Sequence, residues 1–551
     1  MLSIISFIGF TALVAVIAWY ATRKTDETSA DGFYLGGRSL GALTIAGSLL
    51  LTNLSAEQIV GLNGQAFSEG ILVMAWETLA AIAIIATAIF LLPKYMSSGI
   101  TTIPEFIEGR FDQQTRAIMA VLFLIAFGIV LLPTILYSGS LAFSTMFDLP
   151  ELFGMSQSAV IWLCVWSIGI IGIIYAIFGG LKAVAVSDLI NAIGLMIGGL
   201  LIPFFGLSVI GDGNVMNGLN TLWNSNPEKF NAVGDVTSSI PFGTIFTGMM
   251  IAQVYYWGTN QSILQRVFGA KNLAEGQKGM IAAAFVKFLI PVIVVLPGII
   301  AWHVFEGNLE NADQAYPALV KKVLPTAFIG FFAAVLFGAV LSSFNSLLNS
   351  SATLFGSDLY KQNFNKNSTE KQSVKAGKIA GLILALISMS IAPFIANAPD
   401  GLFSYIQQAL GSLSVPILAV VLTGIISKRV PATGAKTVLI AGVLMYLFSL
   451  LYLGPNTIEA AVSEATANDI SNTNEIAIIK AKAYPHFLHI MGILFVINML
   501  IMLIFRLIKP KKDEEIYIPQ VTEVIDTTPW KYTLPVGLFI VILVLATYVI
   551  F

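Results

Sequence analysis

The chain has 551 residues, of which 56% are hydrophobic and 11% charged, and its mean hydropathy is +0.84. A water-soluble domain carries about a quarter charged residues, so a soluble enzyme or binding module is excluded. A net charge of −2 offers no field for nucleic acid, and one cysteine, Cys164, excludes an intrachain disulfide or a Cys/His metal centre.

Apolar runs of helical length follow one another at 4–22, 40–66, 71–93, 117–146, 157–178, 183–209, 241–265, 279–303, 326–356, 376–397, 402–426, 433–453, 485–507 and 530–551. Each approaches or exceeds the roughly 20 residues that a helical bilayer crossing needs, so an all-α integral membrane protein with fourteen spans is expected. The first run has no basic residue ahead of it and reads as a retained helix, not a cleaved signal. With the N-terminus outside, 23 of the 29 Lys and Arg residues fall on cytoplasmic connections. Outer connections hold only Lys229, Lys321, Lys322, Lys480 and Lys482, and Lys287 is left inside a span. That asymmetry is the positive-inside signal, and it puts both termini outside the cytoplasm in a multi-pass cell-membrane protein. The outer connections 304–325 and 454–484 are expected to carry short surface helices. His486 and His489, at the start of an apolar run, read as interfacial side chains and not as metal ligands.

A charge at the centre of a bilayer helix costs about 2.5–3.5 kcal/mol on insertion scales. Glu57, Glu77, Asp188 and Lys287 stand in spans nonetheless, each either pairing helices or serving a ligand. In the second span, LLTNLSAEQIVG (50–61) gathers Thr52, Asn53, Ser55, Glu57 and Gln58. Such side chains compete for backbone hydrogen bonds. The segment is expected to break the helix and free carbonyls at midplane, a kinked continuous helix being the alternative. In the ninth span Ala339, Ser342 and Ser343 share a face at i, i+3 and i+4. Two hydroxyls plus freed carbonyls make a hard, uncharged oxygen set suited to sodium; helix packing through small residues is the alternative. Gln253, Tyr256 and Trp257 share a face in the seventh span, as do Phe403 and Gln407 in the eleventh. Lys287 precedes Pro291 by four residues, so its carbonyl loses a helical partner. Amides, a charge and flat rings together are a sugar-binding chemistry.

The stretches NLSAEQIVG (53–61), IPEFIEGRF (103–111), IFGGLKAVAVSD (177–188), YYWGTNQSILQR (255–266) and LSSFNSLLNSSATLF (341–355) occur in this order. With them the chain resembles the sodium/solute symporter family in its sodium/glucose cotransporter branch, and bacterial sodium/galactose symporters especially. The resemblance implies a LeuT-like fold of two inverted five-helix repeats, 40–209 and 241–426, joined by an outer loop at 210–240. An extra helix and inner loop at 1–39 precede them, and three helices at 427–551 follow. It implies a sodium site at Leu51, Leu54, Ala339, Ser342 and Ser343, and substrate contacts from Gln58, Glu77, Gln253, Lys287 and Gln407. It implies gates at Leu62, Trp76, Tyr256, Trp257 and Phe403. Asp188, Asn345 and Ser346 are candidates for a second cation site. Gln253 replaces the Asn of galactose symporters, and Ala80 replaces a hydroxyl residue one turn after Glu77, so sugar or polyol is a firmer expectation than galactose. No enzymatic activity and no organic cofactor are expected; sodium is the co-transported ion. Myo-inositol and sialic acid are alternative substrates, and an uncoupled channel or facilitator is the alternative class.

Overall fold

The computed structural model describes residues 2–22, 30–178, 181–397, 401–468, 470, 472–512 and 525–551. Arg23 and Lys24 of the charge map, Gly179 and Gly180 of the third family-like stretch, and 513–524 of the last inner connection lie outside the described residues. The helices run in chain order as α1 (Leu2–Thr22), α2 (Ala42–Asn53), α3 (Ala56–Glu69), α4 (Ile71–Met96), α5 (Gln113–Met146), α6 (Gln157–Phe178) and α7 (Leu181–Ile210). Next come α8 (Gly248–Gly258), α9 (Gln261–Phe268), α10 (Leu273–Val304), α11 (Ala315–Val323), α12 (Thr326–Thr353), α13 (Glu370–Ile391) and α14 (Leu402–Ile426). The chain closes with α15 (Ala432–Phe448), α16 (Gly454–Ala467), α17 (Thr473–Ala483), α18 (Phe487–Ile508) and α19 (Thr533–Ile550). The short helices expected in the two outer connections are α11, α16 and α17. Among the described residues, eleven helices are long and apolar enough to cross a membrane, or twelve when α2 and α3 count as one bent span.

Two local sequences decide where the helices break. Between α2 and α3 the axis bends by 57°. Leu54 leaves the helical region at φ −81°, ψ 60°, and Ser55 is extended, within the polar segment that the sequence marks. The expected single span at 241–265 is instead two pieces. Thr259 (φ −140°, ψ −12°) stops α8, and the Asn260 side chain accepts from the Ser262 N–H at 2.9 Å to start α9. With 11 and 8 residues, at about 1.5 Å each, neither piece crosses a hydrocarbon core of about 30 Å. Asn260→Ala is therefore expected to cost about 1 kcal/mol of stability, seen as a lower melting temperature of the purified protein, with Asn260→Asp close to the parent.

Prolines shape two further spans. Pro93 and Pro133 each follow a widened turn, at Thr87–Leu91 and Ala126–Leu131. A proline ring collides with the carbonyl four residues earlier, and one extra residue in the preceding turn lets the helix continue. The long helix α10 packs along α2, α3 and α4, while α8 lies among α4, α14 and α18. This arrangement brings the polar faces of α3, α4, α8, α10 and α14 to one place.

Candidate solute and ion sites

All five predicted substrate residues, Gln58, Glu77, Gln253, Lys287 and Gln407, line one cavity. Glu77 and Lys287 are its electrostatic centre, with side chains 0% and 1% exposed. The Lys287 ammonium donates to Glu77 Oε2, Gln58 Nε2 donates to Glu77 Oε1, and Lys287 Nζ lies 5.7 Å from the centroid of the Trp257 ring. Taking two charges out of water is costly, and only close pairing with further hydrogen bonds offsets it. Here one carboxylate uses both oxygens, leaving Gln407 and the free valences of Gln58 and Lys287 for a solute. The cavity has about 70 Å³ of space open to water centres, room for a few waters, so a hexose enters only when surrounding side chains part.

Rings close the cavity. Trp76 and Phe403 meet edge to face, 5.3 Å between centroids and 73° between planes, and both are 3% exposed. A Cβ on Gly61 would stand 3.2 Å from the Phe403 backbone nitrogen, so α3 approaches α14 this closely only because that residue is glycine. Leu62 is fully buried beside this contact in sequence but is not among the residues lining the cavity. Tyr256 and Trp257, 5.3 Å apart at 77°, also line it. Gln253 does not spend its amide on the cavity alone: its Nε2 donates to the Trp76 carbonyl at 2.7 Å. That bond makes the side chain a strap between α8 and the Trp76 turn.

At the first break, the Ser343 hydroxyl lies 3.1 Å from the Leu51 carbonyl and 3.2 Å from that of Thr52. Ser342 Oγ is buried and faces the Asp188 carboxylate without a well-formed hydrogen bond. Leu54 stands at the break itself, and Ala339 is fully buried one turn before the two serines. The candidates for a second cation are held differently. Asp188 Oδ2 accepts from Ser48 at 2.6 Å, while Oδ1 is unpartnered. Ser346 Oγ lies 3.4 Å from Thr52 Oγ1, and both polar atoms of the Asn345 side chain are buried and unpartnered. Among the described residues no group of three or more His, Cys, Asp or Glu could hold a metal ion.

Several residues here escaped the sequence reading. Arg266, counted there among the cytoplasmic charges, is fully buried: its Nε donates to Thr52 Oγ1 at 2.8 Å and its Nη1 to the Ser262 carbonyl at 2.5 Å. A residue at the cytoplasmic end of an apolar run reads as an inside charge, and only the break before it turns Arg266 inward. Asn53 and Glu57, which the sequence already marks as polar groups in this span, also line the cavity, with Asn53 Oδ1 and Glu57 Oε2 unpartnered. Gln261 accepts from the Ile103 N–H at 2.9 Å, and Gln265 donates to the Tyr34 carbonyl and the Thr353 hydroxyl, each at 2.8 Å. These amides of the NQSILQR stretch clamp α9 to its neighbours. Beside them Asp358 receives Arg116 at 2.5 Å and Thr102 at 2.9 Å.

The model of the Sodium:solute symporter family matches residues 33–442. The chain belongs to this family. The symporter is a multi-pass membrane transporter, not an enzyme. It is 44% identical over 530 residues to the Uncharacterized symporter YidK of Escherichia coli, covering 96% of this chain and 87% of that protein. It is 33% identical to the Sodium/glucose cotransporter of Vibrio parahaemolyticus, over 81% and 85% of the two chains. With the human Sodium/myo-inositol cotransporter 2 the figures are 29%, 80% and 68%. Among solved structures, that of a Na⁺-coupled sialic acid symporter superposes with a TM-score of 0.67 at 20% identity, covering 91% of this chain and 98% of that one. The last comparison speaks to fold: the symporter has the helical architecture of that transporter.

Proposed function

We propose that this symporter imports a sugar or polyol coupled to sodium by alternating access. The observation that carries the reading is the convergence of Gln58, Glu77, Gln253, Lys287 and Gln407 on one cavity, beneath the Trp76–Phe403 contact. Amides and a hydrogen-bonded ion pair present donors and acceptors for hydroxyls, and the flat faces of aromatic rings suit the C–H side of a saturated ring. Sodium binds at the first break, through the carbonyls of Leu51, Leu54 and Ala339 and the hydroxyls of Ser342 and Ser343. It joins α2 to α12 and favours the state open to the outside. Solute then binds, Leu62, Trp76 and Phe403 close above it, and loss of sodium inward frees Tyr256 and Trp257 below. The reading takes fourteen spans, with repeats at 40–209 and 241–426, an extra helix at 1–39, three at 427–551, and both termini outside. The paired breaks α2/α3 and α8/α9 support it, each opening a repeat. Asp188 is read as a counter-charge to Arg266, which lies within its electrostatic reach, more than as the ligand of a second sodium with Asn345 and Ser346.

One charge crossing 100 mV gains about 2.3 kcal/mol, and a tenfold sodium gradient about 1.4 kcal/mol. Together they sustain a solute gradient of roughly 500-fold at one sodium per solute. The test is a binding screen of the purified protein with glucose, galactose, myo-inositol and sialic acid, in sodium and in choline, followed by vesicle uptake of whichever binds. Binding of a sugar or inositol that needs sodium is the expected result. Binding of sialic acid alone would replace the substrate class, and equal uptake in choline would remove the coupling. Gln407→Ala is expected to weaken solute binding about three- to tenfold, the worth of one neutral hydrogen bond, with the melting temperature unchanged.

A further inference from the structure

Phe403 and Gln407 both ride on α14, so whatever fixes the start of that helix fixes the gate and one substrate contact together. The start is unusual. Gly401 precedes it at φ +76° and supplies no side-chain cap. The cap comes from a distant turn, Ala312–Gln314 in the connection between α10 and α11: Asp313 Oδ2 accepts from the Leu402 N–H at 3.1 Å. Asp313 is only 6% exposed, and its own N–H is held at 2.9 Å by the Asn311 side chain, which fixes the turn. A carboxylate at a helix N-terminus meets both an unsatisfied N–H and the positive end of the helix dipole.

The same turn presses on the other outer gate helix. A Cβ on Gly64 of α3 would stand 2.8 Å from Asp313 Oδ1 and 2.8 Å from the Ala312 carbonyl oxygen. Gly64 lies two residues beyond Leu62 and six beyond Gln58. Asp313 therefore sits between the outer ends of α3 and α14, in van der Waals contact with one and hydrogen-bonded to the other. Those two helices must separate for a solute to enter from outside.

We propose that Asp313 is a positioning residue of the outer gate: its carboxylate ties the 312–314 turn to the first N–H of α14 and so holds Phe403 closed over Trp76. The proposal rests on reading Trp76 and Phe403 as the outer gate and is independent of which solute is carried. Burial pushes the Asp313 carboxyl up to about 6, against the opposing effect of the Leu402 N–H. The titratable group facing it is Tyr137 of α5, while α3 presents the backbone of Gly64 and α14 its first N–H. That raised value means that closing takes up protons, so the closed gate is favoured as pH falls through about 6.

The experiment reads gate opening without any solute. Ala80 lines the cavity one helical turn beyond Trp76, so Ala80→Cys in a Cys164→Ser background reports entry of a membrane-impermeant maleimide applied outside right-side-out vesicles. Asp313→Ala is expected to raise the labelling rate about tenfold, the scale of a partly buried helix-end charge. Asp313→Asn, which keeps an acceptor and loses the charge, should fall between. The ratio of the Asn variant's rate to the parent's should rise as pH drops from 7.5 to 5.5, because protonation favours the closed parent, whose site raises the carboxyl's pKa, and leaves the Asn variant unchanged. Equal rates for parent, Asn and Ala forms, or a ratio that does not move with pH, would overturn the proposal. Where Asp313→Ala does not reach the membrane, Gly64→Ala in the Asp313 parent displaces the turn from the other side. Faster labelling is expected there too, and an unchanged rate counts against the proposal.

Discussion

Lys287→Met is expected to destabilise the protein by about 3–5 kcal/mol, because it strands the Glu77 carboxylate in a buried site without its counter-charge. Glu77→Gln should do the same from the other side, stranding the ammonium. Combining the two is expected to recover most of that loss, since a buried pair replaced by neutral groups of similar size is often no less stable than the pair. Melting of the purified protein measures all three. The observed geometry sets the expectation: both side chains are at most 1% exposed, and each Glu77 oxygen already has its partner, Lys287 on one and Gln58 on the other. Solute binding should be lost in the double variant despite its recovered stability. A single variant as stable as the parent would mean that the pair is reached by water. A double variant as unstable as the singles would mean that packing, not charge, is what the pair supplies.

The break between α2 and α3 was legible in the sequence because its cause is local: Thr52, Asn53 and Ser55 stand together in an otherwise apolar run, and each offers the backbone an alternative partner. The faces bearing Gln253, Tyr256 and Trp257, and Phe403 with Gln407, were legible by helical period alone. That they converge on the Glu77–Lys287 pair was implied only by the family resemblance, since no spacing joins residues on five helices. The break between α8 and α9 hid for the opposite reason. Gly258, Thr259 and Asn260 are brief, and the apolar residues on either side complete a run of spanning length. Arg266 was misread with it, as its inward turn follows from that break and its partner Thr52 is 214 residues away. Asp313 was silent too: an acidic residue in an outer connection reads as solvated, and the N–H it caps lies 89 residues on. Local chemistry marks where a helix fails; which charges end up buried is decided by contacts between distant segments.

The second large effect belongs to the ion. Ser342→Ala combined with Ser343→Ala is expected to raise the half-saturating sodium concentration for uptake roughly 100-fold. Two hydroxyl ligands to a cation, at about 1.5 kcal/mol or more each by analogy with hydrogen bonds to charged groups, amount to about two factors of ten. Ser343 should account for a smaller share of the sodium affinity than its position suggests. Its hydroxyl already reaches the Leu51 and Thr52 carbonyls, at 3.1 and 3.2 Å, so binding an ion exchanges those contacts for better ones. Ser342 differs: its oxygen is buried and faces the Asp188 carboxylate without a well-formed hydrogen bond, so Ser342→Ala should change melting little in the absence of sodium. With saturating sodium the parent should gain more stability than either variant, because only a ligand that binds the folded state raises its melting temperature. Sodium titrations of uptake and of melting separate the two contributions. If the double variant keeps the parent's half-saturation by sodium, the ion binds elsewhere, and the break serves only to bend the helix.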